Sequence, residues 1–283
     1  MNTFKLLLMA LITLSTSAMA QQHKSCCQAP SATASFASLA GSNGFSGAHE
    51  SPAAISYAAK GSMITFTTPD GKTGSAYFIA AEGKSNKYIF VFQEWWGLND
   101  YIKRQADLYA DSLKGVNIMA IDLYDGKVTT NPEEAGKFMQ AADDARIRSI
   151  ITGAYSHIGK EAKVATVGWC FGGGWSMQAA LIGGKQTKGC VMYYGMPEKE
   201  ESKLKALNAP VLGIFATQDG WINKPVVDAF ETQMKQLNKA ITIHWYDAEH
   251  AFANPSNPKF NKDAASDAMT KSIAFIKSNF LQR

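Results

Sequence analysis

The stretch Val164 to Gly174, VATVGWCFGGG, limits the possible folds of this chain more than any other. Val164 to Val167 is a short, β-branched apolar run that reads as a buried strand. Trp175 to Ile182 (WSMQAALI) reads as a helix. Only Gly168, Trp169, Cys170, Phe171 and the glycines up to Gly174 separate them. A strand that turns into a helix so quickly brings the two backbones close together, and residues without a Cβ permit that approach. Cys170 sits at the apex. The N-terminus of the following helix would point at its thiol, where the partial positive charge favours a thiolate. The pattern is that of a nucleophile held on a sharp turn, with cysteine where serine is usual.

The rest of the chain supplies strands and helices in alternation. Met63–Thr67 and Ser75–Ala80 are strand-like and flank the turn Pro69-Asp70-Gly71-Lys72, which predicts an opening β-hairpin. Tyr88 to Phe92 (YIFVF), Asn117 to Leu123, Cys190 to Tyr194, Pro210 to Thr217 and Ala240 to Tyr246 read as further strands. Helical spacing spans Asp100 to Leu113, Pro225 to Leu237 and Lys262 to Asn279. Asn131-Pro132-Glu133-Glu134 is a helix start, and the helix is predicted to run to Ile151. This order implies an α/β fold: a mostly parallel sheet with helices on both faces and an N-terminal β-hairpin. With 283 residues, the chain can bury one large core of this kind.

Sites in such sheets lie beyond the carboxyl ends of the strands. Cys170, Asp219, His250 and Glu94 all fall there. A thiol nucleophile needs a base, and the base needs an orienting carboxylate. Cys170, Asp219 and His250 occur in the order nucleophile, acid, histidine used by hydrolases of the α/β type. His244 lies within an alternating strand pattern, and His157 follows a helix. His23 and His49 lie in the N-terminal region. The backbone N–H groups of Phe171 and Trp95 are the expected oxyanion donors.

The first 20 residues read as a signal peptide. Lys5 precedes the apolar run Leu6–Leu14, and Ala18-Met19-Ala20 is a cleavage pattern. The run is too short to span a membrane. An exported protein, periplasmic or secreted, with no membrane anchor after cleavage, is expected. Residues 21–57 are rich in Ser, Ala and Gly and read as a flexible, low-complexity tail before a domain over 58–283. The four cysteines are Cys26, Cys27, Cys170 and Cys190. They do not demand a disulfide framework, because Cys190 lies in an apolar strand and the first two lie in the tail. A net charge of +4 without a dense basic run argues against nucleic acid as a partner. No organic cofactor or metal is implied by any dinucleotide fingerprint or ligand spacing. A monomer is expected.

From about Ser62 to Phe280 the chain resembles the dienelactone hydrolases. The matching pieces are Gln93-Glu94 with Gly97 and Asn99, Asp122-Leu123-Tyr124, Gly168-x-Cys170-x-Gly172-Gly173, Tyr193-Tyr194-Gly195, Gln218-Asp219, and His244-Trp245-Tyr246 leading to His250-x-Phe252-Ala253. The resemblance implies the α/β-hydrolase fold, a Cys170–His250–Asp219 triad, and a small ester or lactone as substrate. It also implies that Glu94 interacts with the resting thiol and shifts when substrate binds. Members of the family clamp a substrate carboxylate with two arginines. Here those positions are Asn254 and about Pro132, and Lys127 and Lys137 nearby are not fork-shaped donors. Trp96, Tyr124, Trp221, Phe252 and Asn254 are the expected pocket lining. Two other readings stay open: a thiol or metal-binding protein using His23, Cys26 and Cys27, and a non-catalytic binding module on the same fold.

Overall fold

The computed structural model describes residues 32–40, 43–47 and 49–281. The expected signal peptide and the His23, Cys26, Cys27 cluster lie outside the described residues. Eight strands form one sheet: β1 (Ser62–Thr67), β2 (Thr73–Ile79), β3 (Lys87–Phe92), β4 (Asn117–Ile121), β5 (Lys163–Trp169), β6 (Thr187–Tyr193), β7 (Val211–Ala216) and β8 (Ile241–Tyr246). Their spatial order is β1-β2-β4-β3-β5-β6-β7-β8. The hairpin pairs β1 with β2, and β2 joins β4 antiparallel. From β4 through β8 every neighbour is parallel. The central strands are covered on both sides, so β4 and most of β5, β6 and β7 are buried along their length.

The helices are α1 (Ala32–Ala40), α2 (Asn43–Gly47), α3 (Asp100–Ser112), α4 (Pro132–Gln140), α5 (Asp144–Ile158), α6 (Phe171–Gly183), α7 (Glu201–Ala206), α8 (Lys224–Gln236) and α9 (Lys262–Ile276). Four starts are set by an asparagine that caps the first turn: Asn99, Asn131, Asn223 and Asn261. The helix predicted to run from Pro132 to Ile151 is two helices. It breaks at residues 141–143 because Asp143 adopts an extended backbone and its carboxylate accepts from Ala145 N, starting α5 afresh.

The N-terminal region also departs from expectation. Within the predicted flexible tail, residues 32–47 carry α1 and α2, and α1 packs against α4 and α6. Phe36, Phe45 and His49 are buried. A stretch of small residues offers no apolar period to read, so what orders it is tertiary: two phenylalanines find partners on the body of the domain. Each such burial contributes about 1.5–3 kcal/mol. Among the described residues no helix is long and apolar enough to cross a membrane.

Candidate active site

The turn after β5 is as tight as the glycines imply. Cys170 is held at φ 55°, ψ −120°, a strained conformation for a residue with a side chain. Its N–H donates to Tyr193 O, and its own carbonyl accepts from Gly173 N, which begins α6. A Cβ on Gly168 would lie 2.0 Å from Gly172 O, and one on Gly172 would lie 2.3 Å from Gln93 O. Those positions therefore admit only glycine. The crossing that excludes a Cβ at Gly172 brings the loop after β3 against the start of α6. The backbone N–H groups of Phe171 and Trp95 face the Cys170 thiol and act to lower its pKa.

His250 follows β8 and faces the thiol, with Nε2 at 3.4 Å from Sγ. Its other ring nitrogen, Nδ1, lies 2.5 Å from Asp219 Oδ2. That carboxylate fixes the tautomer: Nδ1 carries the proton and Nε2 presents a lone pair to the thiol. Asp219 follows β7, and its Oδ1 accepts from Trp221 N at 2.8 Å and Ile222 N at 2.9 Å. Burial alone would raise its pKa. His250 and the two N–H donors outweigh burial and hold Asp219 below the ordinary carboxylate value. Burial pushes the Cys170 thiol well up, Glu94 and Asp219 add to this, and the Phe171 and Trp95 N–H groups oppose it. The resting sulfur is therefore a thiol rather than a thiolate.

Glu94 is buried at the end of β3, and its partners differ from the expected one. Asn254 Nδ2 donates to Oε2, and Tyr194 OH donates to Oε1 at 3.4 Å. The thiol is turned to His250, and Glu94 reaches it electrostatically rather than by a hydrogen bond. The amide at position 254 accounts for this: it supplies a donor that captures the carboxylate. Burial raises the Glu94 pKa to about 7, against the opposing influence of His250, Tyr194 and Asn254.

The expected pocket residues divide into three groups. Tyr124 and Trp221 stand at the site: the Tyr124 ring is 5.4 Å from Phe171, and the Trp221 ring is 5.6 Å from His250. Asn254 sits with Glu94. Trp96 lies against Trp95, and Phe252 is packed between Tyr194 and Tyr246 and fully buried, so Phe252 is core rather than lining. The Tyr124 OH and Trp95 Nε1 are buried without a partner among the described residues. A cleft of about 320 Å³ opens beside Trp169, Pro255 and Met269, but none of Cys170, Asp219 or His250 lines it.

Cys170 itself is only 1% exposed. The cover is the N-terminal segment. Phe36 meets Phe171, and Phe45 meets Trp95, Trp221 and His250 at ring separations of 5.2, 5.1 and 6.0 Å. His49 lies 4.9 Å from the Trp95 ring and 5.5 Å from the His250 ring. Its Nδ1 is 2.7 Å from Phe45 O. Burial and the neighbouring His250 hold the His49 pKa near 4, so it is neutral at ordinary pH. His49 and Phe45 were invisible as site residues. Isolated aromatics in a small-residue stretch are the only hint, and no spacing links them to Cys170. Tyr194, 5.1 Å from His250, was legible only as part of the Tyr193-Tyr194-Gly195 pattern.

The model of the dienelactone hydrolase family matches residues 75–280. "Protein usf" of Aquifex pyrophilus is 27% identical over 230 residues, covering 77% of this chain and 98% of its own length. A carboxymethylenebutenolidase of Pseudomonas sp. is 31% identical over 134 residues, covering 47% of this chain and 55% of its own. Among solved structures, a dienelactone hydrolase-like promiscuous phosphotriesterase from metagenomic libraries superposes with a TM-score of 0.67 at 21% identity, covering 77% of this chain and 98% of its own; it speaks for the fold. With the family model matched over residues 75–280, most of this chain, the chain belongs to the dienelactone hydrolase family and is a carboxylic ester or lactone hydrolase of the α/β-hydrolase fold.

Proposed function

We propose that the chain is an exported hydrolase of small carboxylic esters or lactones that lack a free carboxylate, and that Cys170, His250 and Asp219 act as its catalytic triad. One observation carries this reading: the continuous hydrogen-bonded chain Sγ to Nε2 at 3.4 Å and Nδ1 to Oδ2 at 2.5 Å, beneath two converging backbone N–H groups. His250 Nε2 takes the thiol proton as sulfur attacks the carbonyl carbon. The Phe171 and Trp95 N–H groups receive the developing oxyanion, a contribution of roughly 2.7–4 kcal/mol per donor in comparable sites. Asp219 stabilises the imidazolium. The proton then passes from Nε2 to the departing alkoxide, leaving a thioester. Water, deprotonated by His250, attacks the thioester and frees the acid and the thiol.

Substrate class follows from what stands where the family's arginines would be. Asn254 is neutral and its amide is engaged by Glu94. Pro132 is the first residue of α4 and offers no side-chain donor. A carboxylate buried without a charged partner is costly, which favours neutral esters and lactones. With Cys170 nearly completely buried, substrate entry requires that the cover formed by Phe36, Phe45 and His49 open. Export is supported by Lys5, the apolar run after it and the Ala18-Met19-Ala20 pattern.

Hydrolysis of short aryl esters and neutral lactones by the reduced protein, in the presence of chelator, tests the reading. Cys170→Ala should lower kcat/KM at least about 10⁴-fold. Undiminished turnover in that variant would remove Cys170 as the nucleophile.

A further inference from the structure

One group at the site has no task in the hydrolytic cycle. His49 is buried, its Nδ1 is turned to the Phe45 carbonyl, and its Nε2 has no hydrogen-bond partner among the described residues. An imidazole nitrogen left bare in the interior loses its hydration for nothing in return. His49, Cys170 and His250 each offer one donor atom, and the three atoms lie within 4.8 Å of one another. We propose that these three side chains form a binding site for a thiophilic divalent cation, Zn²⁺ by the chemistry of the donors, which the N-terminal segment completes by delivering His49.

The donor set supports a metal over an idle contact on three counts. The first is distance. Zn–S and Zn–N bonds of about 2.3 and 2.0–2.1 Å in a tetrahedron set a sulfur-to-nitrogen edge of about 3.5 Å, and Cys170 Sγ lies 3.4 Å from His250 Nε2. The second is the outer shell. A metal-bound imidazole usually donates its other N–H to a carboxylate or a carbonyl, and here His250 Nδ1 faces Asp219 while His49 Nδ1 faces Phe45 O. The third is proton inventory. Those two contacts leave both Nε2 atoms with a lone pair, so the thiol proton is the one that must leave. On binding it passes to solvent, a Zn–S bond replaces the S–H bond, two Zn–N bonds form, and water takes the fourth position. The residues are 121 and 80 positions apart in sequence, so no ligand spacing announces the site.

Two consequences follow. The metal ties the segment carrying His49 to the body of the domain. It also occupies the sulfur, so the loaded protein is inactive as a hydrolase; this second consequence rests on Cys170 being the nucleophile, and the first does not.

The test uses the full chain carrying Cys26→Ser and Cys27→Ser, so that those thiols cannot contribute. It is reduced, freed of metal and titrated with Co²⁺ as a spectroscopic probe. The expected result is a thiolate-to-cobalt absorption band with the visible bands of tetrahedral Co²⁺, saturating at one equivalent. His49→Ala should abolish the tetrahedral bands and weaken Zn²⁺, measured by competition with Co²⁺, more than about 100-fold, since loss of a mere outer-shell partner already costs about 10–100-fold. His49→Cys should keep the visible bands and gain thiolate-to-cobalt intensity. Absence of the thiolate band, or bands unaltered by His49→Ala, overturns the proposal. So does loss of the bands in His49→Cys, because His49 would then serve packing alone. Zn²⁺ inhibition of ester hydrolysis, reversed by chelator, is read separately. A failed hydrolysis assay leaves the Co²⁺ spectrum standing, so the two readings fail independently.

Discussion

Two carboxylates flank Cys170, and they make an instructive pair. Asp219 and Glu94 are 3% and 4% exposed, and burial raises the pKa of both. Each follows the carboxyl end of a parallel strand, β7 for one and β3 for the other. Yet Asp219 is held below the usual carboxylate range, while Glu94 is pushed up to about 7. Burial is opposed in both by His250 first and then by hydrogen-bond donors, and the donors differ. Asp219 receives two backbone N–H groups and the ring N–H of His250, all at 2.9 Å or less. Glu94 receives one amide and a phenol at 3.4 Å. Three donors replace the lost hydration of an anion more fully than two. One side of the site therefore carries a fixed negative charge. The other side gains or loses its charge close to neutral pH, an arrangement suited to dividing roles between two acids.

The harshest way to break the pair is at Asp219. Asp219→Asn keeps the shape of the side chain but removes the charge and can invert the His250 tautomer, turning Nε2–H towards the thiol. The expected loss in kcat/KM is roughly 10⁴-fold, with most of it in kcat. A loss below tenfold would mean that the fixed charge has no chemical use.

Glu94 gives a smaller effect with an opposite signature. In the unfolded chain its carboxyl ionises near 4.5, and in the folded protein near 7. As pH rises through this window the unfolded state sheds a proton that the folded state keeps, so stability falls. Above about 7 both states are ionised and the fall is complete. Its size is roughly 3 kcal/mol. The groups facing the carboxyl are His250, Tyr194, Asn254 and Cys170. The comparison is therefore with Glu94→Gln, which retains all four. Denaturant unfolding at pH 4.5, 6 and 8 should show wild type losing this much relative to Glu94→Gln. The variant's thiol should also alkylate faster at pH 8, because the Glu94 charge raises the Cys170 pKa. Parallel stability curves would show that Glu94 stays ionised throughout.

What could be read from the sequence follows the same division. Cys170, Asp219 and His250 were legible because each stands in a local pattern that backbone geometry enforces. The glycines around Cys170 are required by contacts of 2.0 and 2.3 Å between backbones. The strands were legible as apolar runs, and the break at Asp143 was misread, where a capping aspartate outweighed a continuous helical period. Residues 32–49 were not legible. Phe36, Phe45 and His49 acquire their places from Phe171, Trp95, Trp221 and His250, which are distant in sequence. The partners of Glu94 were hidden for the same reason, since Asn254 lies 160 residues away.

The smallest expected effect sharpens the comparison most, because it isolates one donor. Asn254 does two things. Its amide Nδ2 donates to Glu94, and its Oδ1 accepts from Ser256 N and Oγ, each at 2.8 Å, which shapes the turn after Phe252. Asn254→Ala removes both, and pH separates them. The turn contribution involves no titrating group, so its loss is the same at pH 5 and pH 9. The bond to Glu94 favours the ionised carboxyl, so its loss raises the Glu94 pKa above 7 and extends the fall in stability to higher pH. The destabilisation at pH 9 should therefore exceed that at pH 5 by about 1 kcal/mol. Equal values at the two pH values would assign Asn254 to its turn alone, and the raised pKa of Glu94 would then owe nothing to the number of its donors.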